Sequence, residues 1–315
     1  METGRSLPMK IENLEKLRFV DSIRVIYPRF KETMDLIEEV HQTSLYSPNP
    51  ASLLITGETG SGKTTLFKTY IEQHSKVSSK VVEGIQCSTK NILHISIPYP
   101  VRYTILTERL LTELGDPYPN KGTVAQKDKR LTTLIKQNQV QLVMLDEFQH
   151  FVDRDRRKVM LGVSDWFKSL MNETNIPFIL FGLDSSNEVL DVNPQLSRRV
   201  NRKEITPFGY GSSGEKNEFQ RLMFEIDKQV AKVFESTSDL ADETCCERFM
   251  YATNGAMNSI MSLVRQGAKN ALAREAERIE LVDLARAYEK VTYVNRGKSL
   301  NPFAIHDPSA LRQTV

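Results

Sequence analysis

The apolar run Leu53-Leu54-Ile55-Thr56 leads directly into Gly57-Glu58-Thr59-Gly60-Ser61-Gly62-Lys63-Thr64, which has the spacing G-x-x-x-x-G-K-[ST], and a helix-forming stretch from Thr65 to Gln73 follows. A strand that feeds a glycine-rich loop and then a helix commits this part of the chain to a phosphate-binding α/β layer. The glycines let the loop turn its N–H groups toward phosphate oxygens, and the positive end of the following helix favours the same negative charge. In such a loop Lys63 reaches the β- and γ-phosphates of a nucleoside triphosphate and the Thr64 hydroxyl ligates a divalent cation. ATP and Mg²⁺ are therefore the expected cofactors, with Gly57, Glu58, Thr59, Gly60, Ser61, Gly62, Lys63, Thr64 and Thr65 as the binding segment.

Further strand-like runs lie at Ile92–Ile97, Val140–Leu145 and Phe178–Phe181, with a shorter one at Lys203–Thr206, and helical patterns at Thr104–Leu114 and Arg157–Glu173 separate them. Strands alternating with helices at these lengths predict a parallel sheet covered on both faces. Residues 11–45 have near-helical apolar spacing on both sides of Pro28 and read as a lead-in packed on the nucleotide core, closed by the turn cluster Ser47-Pro48-Asn49-Pro50. The hinge Gly209-Tyr210-Gly211-Ser212-Ser213-Gly214 ends the sheet, residues 215–291 show only helical periodicity, and a polar tail follows from about Asn295. The expected organisation is a lead-in over 1–50, a nucleotide-binding core over 51–208, a small helical lid over 209–294 and an extended tail over 295–315. A chain of 315 residues has room for one large and one small domain.

Cys87, Cys245 and Cys246 form neither a C-x-x-C pair nor a metal-spaced set, so zinc is not expected and a reducing cytoplasm is. No run approaches the roughly 18 apolar residues of a membrane span, and Met1 to Lys10 mixes charge and proline, so a soluble bacterial cytoplasmic protein without a membrane partner is expected. The net charge of +2 neither demands nor excludes nucleic acid, which leaves local clustering as the informative quantity.

A buried-type strand ending in Leu145-Asp146-Glu147 is the second part a nucleotide site needs, because strand C-terminal ends gather beside the phosphate loop. Asp146 is the expected Mg²⁺ partner and Glu147 the carboxylate that polarises the attacking water. His150 reads as a helix-start or packing histidine. Asp184 and Ser185, just past the third strand, are candidate sensors of the γ-phosphate. Asn193-Pro194-Gln195-Leu196-Ser197-Arg198-Arg199 places two arginines before the last strand. In ring-forming ATPases an arginine reaches the neighbour's γ-phosphate, which makes Arg199 the first candidate for that role and Arg198 the second.

The set as a whole resembles AAA+ ATPases, and more narrowly the TnsC/TniB-type regulators of DNA transposition. The resemblance is carried by Asp146-Glu147-Phe148-Gln149-His150, by Asp165-Trp166-Phe167-Lys168-Ser169-Leu170-Met171-Asn172-Glu173-Thr174-Asn175-Ile176-Pro177 running into Phe178–Gly182, and by Pro194–Arg199. It implies a P-loop α/β fold with a small C-terminal helical lid. It also implies an ATPase that uses hydrolysis mainly as an assembly switch, a homo-oligomeric ring or helical filament on double-stranded DNA, and a link between a target selector and transposase subunits. The selector is a DNA-binding protein or an RNA-guided complex such as that of a CRISPR-associated transposon. The chain departs from the pattern at Asn258, where many lids carry an arginine three residues after a glycine, and at Leu183, where relatives often have a small hydroxyl residue. Competing readings are a helicase-loader or origin-type AAA+ ATPase and a P-loop small-molecule kinase.

Between Asn120 and Gln139, Lys121, Lys127, Lys129, Arg130 and Lys136 face a single acid, Asp128. Such clustering suits sequence-independent neutralisation of DNA phosphates, with Arg102 as a further candidate; the cluster Arg154-Asp155-Arg156-Arg157-Lys158 is assigned to subunit contacts instead. In the tail, Asn301-Pro302-Phe303-Ala304-Ile305 places apolar anchors in a polar terminus. Phe303 is expected either to dock back on the lid or to bind a partner, which the resemblance makes a transposase subunit.

Overall fold

The computed structural model describes residues 11–82, 85–99, 102–152, 157–291 and 300–306. In chain order the first elements are α1 (Ile11–Ser22), α2 (Pro28–Thr43), β1 (Ser52–Gly57), α3 (Lys63–His74), β2 (Val77–Val82), β3 (Ile85–Lys90) and β4 (Ile92–Ser96). Then come α4 (Tyr103–Glu113), α5 (Val124–Gln137), β5 (Leu142–Asp146), α6 (Arg157–Thr174), β6 (Phe178–Gly182), α7 (Asn187–Asp191), α8 (Pro194–Ser197) and β7 (Val200–Ile205). The helices α9 (Ser213–Val230), α10 (Glu243–Thr253), α11 (Met257–Ala273) and α12 (Leu281–Val291) complete the chain.

Among the described residues, five strands form one sheet in the order β4-β5-β6-β1-β7, with every neighbouring pair parallel. The central strands β5, β6 and β1 are buried along their whole length. That is why their sequences are continuous apolar runs rather than alternating ones. At the edge, β7 reads Val-Asn-Arg-Lys-Glu-Ile and exposes its charges, which blunts an otherwise open row of N–H and C=O groups. The strands β2 and β3 pair antiparallel as a separate hairpin.

On one face of the sheet the core is aromatic. Phe167 lies with its ring centroid 5.4 Å from Phe148, 6.0 Å from Phe151 and 5.8 Å from Phe178, all edge-to-face. Trp166 beside it donates from Nε1 to Asp128 Oδ1 at 3.1 Å, which ties α6 to α5. Asp165 accepts from Asn193 Nδ2 at 2.9 Å, and Asn193 Oδ1 caps the short α8 by accepting from the Gln195 and Leu196 amides. Two of the motifs that carry the family resemblance are thus one hydrogen-bonded construction that sets the path of the chain into Arg198 and Arg199.

The chain divides into a compact unit of residues 29–206 and a second unit made of 1–28 with 207–315. The N-terminal segment is accordingly not a single lead-in on the nucleotide core. Helix α2 belongs to the sheet unit, where Tyr70 of α3 donates to Glu38 of α2 at 2.7 Å. Helix α1 packs on α11 in the other unit, with Asn13 donating to the Leu272 carbonyl and Arg265 to that of Asp21. The apolar residues Val20 and Ile23 are buried there, and α1 follows the surface that covers them.

In the helical unit α9 starts from a capping box, Ser212 accepting from the Glu215 amide while Glu215 returns a carboxylate to the Ser212 amide. Gly255 sits at φ 71°, and a Cβ there would overlap the Phe208 backbone. The described tail segment folds back. Phe303 is only 3% exposed, with its ring against Phe249 at 5.2 Å and Tyr288 at 6.3 Å.

Candidate functional site

Strand β1 delivers the phosphate loop, and the loop needs its glycines for identifiable reasons. Gly60 and Gly62 have φ of 84° and 101°, a left-handed backbone that other residues adopt only under strain. A Cβ on Gly57 would come 2.6 Å from the Ile205 carbonyl oxygen of the neighbouring β7. Helix α3 begins at Lys63 without a side-chain cap, so its first amides and its positive end are available to an anion. Lys63 Nζ donates to the Gly57 and Glu58 carbonyls at 2.7 Å each, folded over its own loop. Burial lowers the Lys63 pKa, opposed by the nearby Asp146, Glu147 and Glu58 carboxylates.

Asp146 closes β5, two strands from β1 with β6 between them. It is 4% exposed, and its Oδ2 accepts from the Thr64 hydroxyl at 3.0 Å. Burial raises its pKa, and hydrogen bonds from the Glu147 amide and Thr64 hydroxyl oppose that rise. The hydroxyl expected to ligate Mg²⁺ and the carboxylate expected to hold it are therefore already joined. Glu147 has φ 64°, which turns the chain sharply out of the strand. Its Oε2 accepts a short hydrogen bond from Gln149 Nε2, and Gln149 Oε1 accepts from the Leu183 amide at 3.1 Å.

These residues fit a nucleoside triphosphate with Mg²⁺. The left-handed glycines and uncapped helix start cradle an anion, Lys63 holds a cation over the loop, and Thr64 with Asp146 forms a pair of hard oxygen donors. A bound metal would supply charge neutralisation on the phosphate oxygens, and Lys63, Thr64 and Asp146 are the residues that would hold the nucleotide and its metal.

Arg199 lies at the other end of β1. Its carbonyl accepts from the Ser52 amide at 2.9 Å, and Ser52 pairs with Val200 at the start of β7. The six residues of β1 separate that point from the loop by about 17 Å, farther than an arginine side chain extends. Arg198 is exposed and Arg199 half-buried. Of the sensor candidates, Asp184 is exposed and accepts from Asn187 Nδ2, and Ser185 is half-buried. Sequence reading passed over Ser186, whose fully buried Oγ has no hydrogen-bond partner and which lies where a Cβ on Gly182 would meet it. It also passed over the Gln149 bridge, signalled only by a glutamine two residues after Glu147. His150 keeps its packing role, with Nδ1 2.7 Å from the Ile97 carbonyl oxygen.

The basic segment is divided by its partners. Lys127 pairs with Glu108 at 2.6 Å and is 12% exposed. Arg130 bonds Asp116 at 2.9 Å and the carbonyls of Lys121 and Tyr118. Both hold α5 to α4 and the intervening loop, which corrects their reading as free phosphate contacts. Lys121, Lys129, Lys136 and Arg102 are exposed. Residues 153–156 of the second basic cluster lie outside the described residues. Among the described residues no helix is long and apolar enough to cross a membrane, and no cluster of metal-ligating side chains of three or more members occurs.

The Phe303 contacts given above, with Arg248 bonding the Pro302, Ile305 and His306 carbonyls, commit this residue to its own chain. That corrects its reading as a partner anchor: the lid-docking alternative is the one present, because Phe249 and Tyr288 supply the apolar surface the terminus otherwise lacks.

The family model described as bacterial TniB protein matches residues 16–210, well over half of the chain. The chain belongs to the TniB family. No curated protein matches it. In fold this TniB-family protein is similar to Cdc6p from Pyrobaculum aerophilum, at TM-score 0.58 and 14% identity over 89% of this chain and 73% of that one. It is also similar to the Orc1 protein of Aeropyrum pernix solved in complex with DNA, at TM-score 0.56 and 14% identity over 90% and 72%. A third likeness is to Drosophila ORC bound to DNA, at TM-score 0.56 and 13% identity over 95% and 73%. At such identities the likeness carries the fold: a P-loop AAA+ sheet with a helical C-terminal region.

Proposed function

We propose that this TniB-family protein is an ATP-dependent regulator of DNA transposition that assembles on double-stranded DNA and links a target selector to the transposase. The observation that carries the reading is the junction of Lys63, Thr64, Asp146 and Glu147 at the ends of β1 and β5, which brings nucleotide-holding and water-polarising groups to one place in a chain of this family. Lys63 exchanges its loop carbonyls for phosphate oxygens, Thr64 and Asp146 hold Mg²⁺, and Glu147 accepts from the attacking water. Arg199, out of reach of its own loop, serves the site of a neighbouring copy.

The test separates binding from hydrolysis. Lys63→Ala removes ATP binding and, with it, assembly on DNA. Glu147→Gln keeps ATP bound and prolongs the assembly while hydrolysis falls by orders of magnitude to a residual rate. Electron microscopy with DNA and ATP reads both, and identical behaviour of the two variants refutes the assignment. The likeness to Cdc6p and to DNA-bound Orc1 supports a second reading, an origin-type or helicase-loading ATPase. Stimulation of transposition in a reconstituted reaction favours the first, and delivery of a replicative helicase to DNA favours the second.

A further inference from the structure

The geometry points to Gln149 as a positioning residue that fixes the Glu147 carboxylate and ties it to the end of β6. This rests on the reading that Glu147 serves ATP hydrolysis. Gln149 uses both ends of its amide, Nε2 donating to Glu147 Oε2 and Oε1 accepting from the Leu183 amide at 3.1 Å. The orientation is unambiguous: a backbone N–H only donates, so the amide oxygen faces Leu183 and the amide nitrogen faces Glu147.

The surroundings are shaped for this bridge. Gly182 precedes Leu183 without a side chain, and a Cβ there would lie 3.0 Å from Gln149 Oε1 and 3.2 Å from the Gln149 amide nitrogen. The backbone at the end of β6 thus approaches Gln149 closely, and the contact that excludes a side chain at Gly182 is the Ser186 hydroxyl. Leu183 carries no polar side chain, so what this turn contributes is its main-chain N–H. Glu147 itself is held in a left-handed backbone, a conformation that persists in a non-glycine residue when its surroundings over-determine it. With Oε2 engaged by Gln149, the proposed role of Glu147 leaves Oε1 for the attacking water. A shift of the turn after β6 then reaches Glu147 through one side chain, which makes the position of that turn a condition for the attacking water to be polarised.

The test is steady-state MgATP hydrolysis by the full chain on DNA, together with the affinity for a fluorescent ATP analogue and thermal unfolding. Gln149→Met keeps the length and shape of the side chain and removes both hydrogen bonds; Gln149→Asn keeps the amide and is too short to span. Each lowers kcat about tenfold while KM and nucleotide affinity stay within about twofold, the mark of a group that acts in the transition state alone. A residue acting only through Glu147 adds nothing once Glu147 is gone. The double variant Gln149→Met with Glu147→Gln should therefore hydrolyse within about twofold of Glu147→Gln alone. The inference is overturned if both Gln149 variants turn over like the parent, or if the double variant is slower again by the full single-variant factor, which marks an independent structural role. Should Gln149→Met lose its fold, Gln149→Asn, which retains the polar group, decides the same comparison. A parent protein no faster than Glu147→Gln refutes the hydrolysis reading itself, a result distinct from either of these.

Discussion

Lys127 and Lys129 stand two positions apart on α5 and carry the same charge, yet they have different work. Lys127 is tied to Glu108 and largely covered, whereas Lys129 is exposed. A protein that neutralises DNA phosphates loses one unit of salt dependence for about each cation removed. Replacing Lys121, Lys129 and Lys136 with alanine should therefore weaken DNA binding uniformly across sequences and flatten the salt slope, leaving thermal stability within about 0.5 kcal/mol. Replacing Arg130 should instead destabilise the α4–α5 corner by about 1 kcal/mol, since it removes the donor to the Asp116 carboxylate oxygen Oδ2 and unties the Lys121 and Tyr118 carbonyls from α5. Salt-titrated DNA affinity and thermal unfolding separate the two sets. Residue types were legible in the chain; their commitments were not. The partners of Lys127 and Arg130 come from α4 and from the loop around Asp116, and no spacing rule announces that pairing.

Helices α2 and α3 meet through a short polar chain: His41 Nδ1 lies 2.8 Å from the Tyr70 hydroxyl, which donates to Glu38 at 2.7 Å, and His74 lies 3.1 Å from Glu38. Because the Tyr70 proton goes to Glu38, His41 donates from Nδ1. Burial lowers the His41 pKa below the ordinary 6.5, against the pull of Glu38. Below that value the unfolded chain takes up a proton that the folded chain refuses, so stability falls as pH drops through about 6.5 and is fully present above it. His94, also lowered by burial, adds to the same limb. His41→Gln should flatten part of this acid limb in unfolding experiments between pH 7 and 5; an unchanged limb assigns it elsewhere. Among elements, the buried strands β1, β5 and β6 were readable because burial on both faces forces apolar runs. The hairpin β2–β3 was not, since Val-Ser-Ser-Lys-Val-Val and Ile-Gln-Cys-Ser-Thr-Lys pair polar and small residues with no such run. Nor was the assignment of α1, whose apolar spacing says that it packs but not on what.

At the scale of the molecule, the described tail segment is part of the helical unit. Arg248, 4% exposed, holds three of its carbonyls, and Phe303 fills the space between Phe249 and Tyr288. Phe303→Ala should cost about 3 kcal/mol in that unit, and removal of residues 299–315 should make it more susceptible to proteolysis, so transposase recruitment is to be read only beside a stability control. For Arg199, alanine substitution should leave ATP affinity intact and reduce hydrolysis at least tenfold. Mixing that variant with Lys63→Ala should restore part of the rate, because one copy lends the arginine and the other the loop; co-assembled variants that give no rescue would exclude action between copies. The parallel register of β1 with β7 has a last consequence. On the proposed role of Arg199, each copy has a giving end, where Arg199 lies, and a receiving end, where the phosphate loop lies, so copies repeated head to tail bring each loop to the arginine of the next copy, whereas a two-fold pair serves both loops or neither. In an open row one terminal copy always lacks a donor, and turnover per copy climbs toward a plateau as rows lengthen, whereas a closed circle has no idle member and shows no such climb.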